Sequence, residues 1–362
     1  MDRNASIDHI RILLTGLVIF HHTSITYGGP GPWYWKETPG GSNLILAIFN
    51  IINQSFFMGF FFLLAGYFSA VSYERKPISV FLKGRCLRLG VPLIFYFFIL
   101  SPLTTALVST ASGSSFLSGW WKATMHGEFG PGPLWFVESL LLLTVVYVIC
   151  RKFAPKFFSR EHALPGWVLL GLVTILLGLI SFTVRLAIPL GKEIIGLSLG
   201  YFPCYIFLFF AGCLAFRQKV LERINFRDTL PWLLVTFVTV GSLPVLMNYS
   251  GPATGSFEGG LNLNALIYAL WDPFTAWGII LGLLWLSHTY WHTSNIITRF
   301  LARRAYTIYI IHPPALVGIS ILMSEYTFDP LFKFVITGSL TCLACIMISS
   351  LILMLPYTRK VL

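Results

Sequence analysis

Residues 45–70 contain no Asp, Glu, Lys or Arg, and their centre reads Phe56-Phe57-Met58-Gly59-Phe60-Phe61-Phe62-Leu63-Leu64-Ala65-Gly66-Tyr67-Phe68. A helix rises about 1.5 Å per residue, so about 20 apolar residues cross a bilayer core. This stretch is long enough to do so. Similar apolar runs recur at 9–27, 90–110, 133–150, 166–187, 200–216, 231–247, 265–287, 305–323 and 332–355. Composition points the same way: 56% of the 362 residues are hydrophobic and 11% are charged. A soluble domain carries about 25% charged residues. The mean hydropathy is +0.76. A soluble enzyme is excluded, and no room is left for an appended soluble domain. No sequence repeat has a fixed period. The expected fold is all-α: a polytopic membrane protein of about ten transmembrane helices, one domain over 1–362.

The basic residues predict an orientation. Arg3 and Arg11 open the chain, and Arg75, Lys76, Lys83, Arg85 and Arg88 follow the second run. Arg151, Lys152, Lys156 and Arg160 follow the fourth, and Arg217, Lys219, Arg223 and Arg227 the sixth. Arg299, Arg303 and Arg304 follow the eighth, and Arg359 and Lys360 close the chain. The alternate connections carry only Lys36, Lys122, Arg185, Lys192 and Lys333. Basic loops stay in the cytoplasm, so an even number of spans with both termini cytoplasmic is expected. The net charge of +11 then reads as orientation and contact with anionic membrane lipids, not as nucleic-acid binding. The segment Pro77–Arg88 mixes apolar and basic residues, which predicts an amphipathic helix lying at the inner interface. The six cysteines read as small core residues. Cys342 and Cys345 have no His or acid beside them, and no metal ligand set is expected.

Ionisable side chains inside a bilayer are rare and face a cavity or a partner. The first run carries Asp8, Arg11, Thr15, His22 and Thr26. At 100° per residue Arg11 and His22 lie about 20° from whole turns, about 16 Å apart along the axis. The five residues share one stripe, while His21 points elsewhere. An interfacial ion pair and a satisfied histidine would explain part of it. A polar stripe through most of the membrane fits a wet path or a reaction site. Glu138, Asp272, Tyr309, His312 and Arg185 are further inward-facing candidates. Glu138 also suits a helix start after Gly130-Pro131-Gly132-Pro133, and Asp272-Pro273 and His312-Pro313 also suit kinks.

At these residues the sequence resembles the acyltransferase-3 family of integral-membrane acyltransferases, over nearly the whole chain. Arg11-x10-His22, preceded by Asp8, is similar to the family's first-span pattern. Phe61-Phe62-Leu63-Leu64-Ala65-Gly66-Tyr67 resembles its second-span motif, with Ala65 where Ser is usual. Arg85-Cys86-Leu87-Arg88, running into Pro92, resembles its Arg-x-x-Arg segment. Pro133-Leu134-Trp135-Phe136 and Tyr306-Thr307-Ile308-Tyr309-Ile310-Ile311-His312-Pro313 resemble later landmarks. The run His22-Thr23-Ser24-Ile25-Thr26-Tyr27 is similar to one that follows the first span in a branch of the family.

The resemblance implies a multi-pass protein of the cell's inner membrane. It would move an acetyl or succinyl group from cytoplasmic acyl-CoA to a hydroxyl of a carbohydrate or glycan outside. Acyl-CoA is then the co-substrate. Arg85 and Arg88 are expected to hold the donor's phosphates, because planar guanidinium forks suit them. His22 is expected to act as general base or as nucleophile, and Arg11 and Asp8 to position the donor. Glu138, Asp272, Tyr309, His312 and Arg185 are expected around it or toward the acceptor. The alternative reading is a transporter or exporter of a glycan or small molecule, which has no use for Arg85-x-x-Arg88 as a CoA site.

Overall fold

The computed structural model describes residues 5–37, 41–160, 165–216, 220–249 and 256–362. Arg3, Arg217 and Lys219 of the basic set lie outside the described residues, as do 38–40 and 250–255 of the connections after the first and seventh runs. Among the described residues the secondary structure is helical, apart from one isolated bridge between Ile194 and Leu197. The principal helices are α1 (Ala5–Thr26), α2 (Leu44–Glu74), α3 (Ile78–Ala111), α4 (Phe116–Met125), α5 (Trp135–Phe153) and α6 (Trp167–Ala187). They continue as α7 (Phe202–Ala215), α8 (Phe226–Tyr249), α9 (Leu263–Tyr290), α10 (Ile296–Ser324) and α11 (Pro330–Ile352).

Eight of these helical segments are long and apolar enough to cross a membrane. All ten expected runs are helical, but two fall outside that set. The first, α1, carries the polar stripe that lowers its hydropathy. The sixth, Leu199–Ala215, is a shorter apolar helix. Large apolar side chains line the outside of the spans: Phe237 is 79% and Val238 68% exposed on α8. Rows of this kind fit lipid rather than water.

The helix expected over Pro77–Arg88 is present from Ile78 but does not end at Arg88. The chain stays helical without a break from Ile78 to Ala111, passing through π-helical turns at Cys86–Gly90 and Tyr96–Leu100. Pro92 has no N–H to give to the carbonyl four residues back, and a proline inside a helix ordinarily breaks it. Here the freed Arg88 carbonyl accepts from the Tyr306 hydroxyl at 2.9 Å. A neighbouring side chain that repairs such a carbonyl keeps the helix viable in lipid. Cys86, in the π turn, is exposed and therefore departs from the expected core role.

The described chain divides into two compact units. One holds Met1–Ile10, Gln54–Leu82 and Leu142–Ser294. In it α9 packs against both α6 and α8. A Cβ on Gly66 of α2 would collide with the Phe209 carbonyl oxygen of α7, and one on Gly212 with the Leu63 carbonyl oxygen. The two glycines therefore let the backbones of α2 and α7 touch. Close approach at small residues is how apolar helices gain contact when lipid offers no hydrophobic drive. The Cys213 thiol adds a bond to the Gly66 carbonyl at 3.3 Å. The Gly66 of the second-span motif is thus a packing residue. Between α8 and α9, Thr236 and Trp271 donate to the carbonyls of Thr275 and Thr239, at 3.1 and 2.7 Å.

The other unit holds Arg11–Asn53, Lys83–Leu141 and Asn295–Leu362. There α10 packs along α11 and against the last part of α3, which also carries α4. Gly132, at φ +45°, opens a short turn into α5 where a Cβ would lie 2.8 Å from the Tyr96 hydroxyl. Only glycine suits both the backbone angle and the space.

Candidate active site

Three rings meet in the second unit. His22, near the end of α1, stacks on Trp33 with centroids 4.0 Å apart and planes 16° off parallel. His312, on α10, stacks against His22 at 5.4 Å and 17°. Trp33 and His312 are parallel to within 12° at 6.2 Å. His22 is half-buried and His312 fully buried. Nδ1 of His22, Nε1 of Trp33 and Nε2 of His312 are buried without a hydrogen-bond partner. A buried polar group costs free energy unless it is paired. Three of them in one stack mark a place where the fold has left polar capacity open.

His312 has a defined orientation. Its Nδ1 lies 2.6 Å from the Tyr309 carbonyl oxygen. That carbonyl is four residues before Pro313, which has no N–H to give it. The Tyr309 hydroxyl donates to the Pro133 carbonyl, and its ring meets Phe136 edge-on at 6.2 Å. On the same connection as Trp33, the Tyr34 hydroxyl bonds the Tyr96 hydroxyl at 3.0 Å. Burial pushes the Tyr34 phenol above its usual pKa, so it stays protonated at neutral pH.

His21 and His22 have different partners, although their rings meet edge to face with centroids 5.4 Å apart. His21 is fixed by α2: the side-chain amides of Asn50 and Asn53 each lie 3.3 Å from its Nδ1. Within the expected stripe, Thr15 donates to the Arg11 carbonyl at 2.8 Å and Thr26 to the His22 carbonyl at 3.1 Å. Their hydroxyl protons are engaged by α1 itself. Asp8 is buried and Arg11 half-buried. Asp8 belongs to the first unit and Arg11 to the second.

Arg85, half-buried, ends the α-helical turn that precedes the π turn, and Arg88 is exposed within that turn. The Arg88 guanidinium donates to the Leu362 carbonyl at 3.3 Å. Glu138 sits half-buried in the first turn of α5, where a carboxylate complements the helix dipole. It therefore stands at a helix start, as its place after the Gly-Pro run suggests.

Arg185 and Asp272 are in the first unit and form a buried ion pair, Nη2 to Oδ2, at 3.0 Å. Arg185 also donates to the Gly200 carbonyl at 3.1 Å, and Tyr201 and Tyr268 face its guanidinium at 5.3 and 5.4 Å. Asp272 lines a small cavity of about 20 Å³ together with Gln54, Tyr201 and Trp277, room for about one water. Pro273 and Pro313 both sit inside unbroken helices.

Sequence reasoning gave no role to Asn50, Asn53 or Tyr96. It also counted Lys333 as a loop charge. Lys333 is 2% exposed and paired with Glu37, beside the bond between Tyr27 and Thr337 at 2.8 Å. A lysine at the second position of an apolar run was the available signal. Among the described residues no group of three His, Cys, Asp or Glu side chains is placed to hold a metal ion.

The family model for the acyltransferase-3 domain, described as "Acyltransferase domain", matches residues 4–350. Glucans biosynthesis protein C of Escherichia coli (strain K12) is 28% identical over 152 residues, covering 40% of this chain and 38% of the relative. The protein of the same name from Salmonella gallinarum (strain 287/91 / NCTC 13346) is 26% identical over 236 residues, 61% of this chain and 60% of the relative. The chain thus spans between 38% and 60% of the length of these curated relatives. No solved structure matches.

Proposed function

This chain belongs to the acyltransferase-3 family, and from that premise we propose that it is an acyl-CoA-dependent membrane O-acyltransferase. The acceptor is a hydroxyl of a carbohydrate or glycan outside the cytoplasm, and the group moved is acetyl or succinyl. The relatives' name, glucans biosynthesis protein C, favours a glucan. The observation that carries the reading is the stack of His22 and His312, two imidazoles with buried, unpartnered ring nitrogens. Such nitrogens can take a proton or form a bond to an acyl group.

The donor enters on the side of Arg85 and Arg88, whose guanidinium forks suit its phosphates. Tyr306, which touches the Arg88 backbone, lies six residues before His312 on α10, about 9 Å along the axis. A long, thin acyl-bearing arm that starts at the arginines follows this helix to the histidines. His22 then meets the acyl group, as base or as nucleophile. Trp33, flat on His22, offers an aromatic face of the kind that a sugar stacks on. The reaction joins the acceptor oxygen to the acyl carbon, breaks the carbon–sulfur bond and returns the hydroxyl proton to the departing thiol. Thr15 and Thr26, bonded to their own helix, favour this closed site over a continuous wet path. Both termini and the basic connections lie in the cytoplasm of the inner membrane, and residues 1–362 act as one domain.

The test is acyl transfer by the purified protein in proteoliposomes, using labelled acetyl-CoA and succinyl-CoA with glucan oligosaccharides. Mass spectrometry of the glycans from cells with and without the chain identifies acceptor and acyl group together. Label in the glycan that disappears with His22→Ala supports the reading. Transport of the glycan with no label transferred from either donor refutes it.

A further inference from the structure

We propose that His312 is the base that takes the acceptor hydroxyl's proton, and that Pro313 is the positioning residue that fixes which of its ring nitrogens is free. A backbone carbonyl can only accept. The 2.6 Å contact between Nδ1 and the Tyr309 oxygen therefore places the proton of the neutral ring on Nδ1 and leaves a lone pair on Nε2. The carbonyl is open to His312 because Pro313 has no N–H for it. In a regular helix the residue at 313 would claim that oxygen, and the ring would be free to protonate on either nitrogen. The resulting lone pair has no partner, although His312 is fully buried. It belongs to the ring stacked against His22. A hydroxyl arrives there past Trp33, which is parallel to both imidazoles.

The step balances as follows. The acceptor O–H bond breaks and its proton goes to Nε2 of His312. The oxygen bonds to the acyl carbon, and that carbon's bond to the His22 nitrogen, onto which the group has passed from the donor sulfur, breaks. The His22 nitrogen takes the proton back from Nε2. Holding one tautomer ready removes a reorganisation that the reaction would otherwise need.

This inference rests on the acyltransferase reading, so its experiment has one arm that does not. Histidine is labelled with ¹⁵N in the full-length protein in nanodiscs, and His312 is assigned by its loss in His312→Ala. The parent is expected to show Nδ1 protonated and Nε2 bare. Pro313→Ala supplies an N–H to the Tyr309 carbonyl and should bring up the Nε2–H form. Pro314→Ala, next in sequence, should leave the spectrum and the rate unchanged and controls for proline loss as such. In the transfer assay, His312→Ala should lower kcat at least 10²-fold, the low end for a general base. Pro313→Ala should lower kcat by about tenfold with KM for the donor unchanged, as expected for losing one hydrogen bond's worth of bias. Near-parent kcat in His312→Ala overturns the base. A parent already in the Nε2–H form, or an unchanged spectrum in Pro313→Ala, overturns the lock. A parent with the Nδ1–H tautomer but no acyl transfer overturns the enzyme reading and the base with it, while the lock stands.

Discussion

Two adjacent histidines provide a controlled comparison, because substituting either one by alanine removes the same atoms at nearly the same depth. His21 is 6% exposed and is held by two asparagine amides, each 3.3 Å from its Nδ1. Asn50 also donates to the His21 carbonyl and to Ser24, at 3.3 and 2.9 Å, and Asn53 to the Leu17 carbonyl at 3.4 Å. Both amides therefore keep a partner when the ring goes. The expected loss is the cavity plus two long hydrogen bonds, about 2–4 kcal/mol of stability in total. Turnover per folded molecule should stay within a few-fold of the parent. His22 is half-buried with its Nδ1 unpartnered. Its removal loses chiefly ring stacking, about 0.5–1.5 kcal/mol, but takes away the nitrogen that carries the acyl group and should abolish transfer. Thermal unfolding in detergent, read by fluorescence-detected size exclusion, measures the first quantity, and label transfer from acyl-CoA in proteoliposomes measures the second. The reasoning fails if His21→Ala is as stable as the parent and dead, or if His22→Ala retains its rate.

Further predictions follow from packing and charge. Gly66→Ala places a methyl against the Phe209 carbonyl and should cost about 1–3 kcal/mol. A Tm equal to the parent's would show that α2 and α7 are not in backbone contact. Arg85→Ala with Arg88→Ala should weaken acyl-CoA binding by about 1.5–3 kcal/mol per lost charge-assisted contact, measured by calorimetry; unchanged affinity moves the donor site. Lys333→Met alone strands the Glu37 carboxylate beside a buried position and should destabilise by about 3–5 kcal/mol, whereas adding Glu37→Gln should recover much of that. Equal losses in the single and double variants would refute the pairing. A reporter fused after Leu362 should read cytoplasmic and one inserted at Gly255 external. The reverse at Gly255 would overturn the orientation.

What the sequence could reveal is what depends on one segment at a time. Apolar run length gives helices, and angular spacing separates His21 from His22 around α1, because both are set by local geometry. That the helix over Pro77–Arg88 runs on has a non-local reason. A hydroxyl from Tyr306 repairs the carbonyl that Pro92 leaves open, so the helix runs on where its own sequence argues for a stop. Trp33 and His312 were individually visible, but nothing along the chain brings residues 22, 33 and 312 into one stack. Lys333 was visible as a charge, and its burial against Glu37 was not. Each miss is a tertiary contact made by a polar side chain in a place where the chain alone reads only as apolar or basic.

The polar residues of α10 show how such contacts leave a site behind. Tyr306, Tyr309 and His312 follow one another at intervals of three residues, a slowly winding stripe on one side of the helix. Each one serves a backbone carbonyl. Tyr306 donates to Arg88, whose oxygen Pro92 has freed. Tyr309 donates to Pro133, in the 3₁₀ turn that opens α5. His312 bonds Tyr309, whose oxygen Pro313 has freed. An unsatisfied carbonyl in hydrocarbon costs several kcal/mol, so Tyr306 and His312 are what make Pro92 and Pro313 tolerable. A phenol has one proton to give, and each tyrosine gives it to the fold. An imidazole has two nitrogens, and the carbonyl occupies only one. His312 is therefore the member of the stripe that can meet the structural demand and still present a lone pair, the unpartnered Nε2, to a second group beside His22.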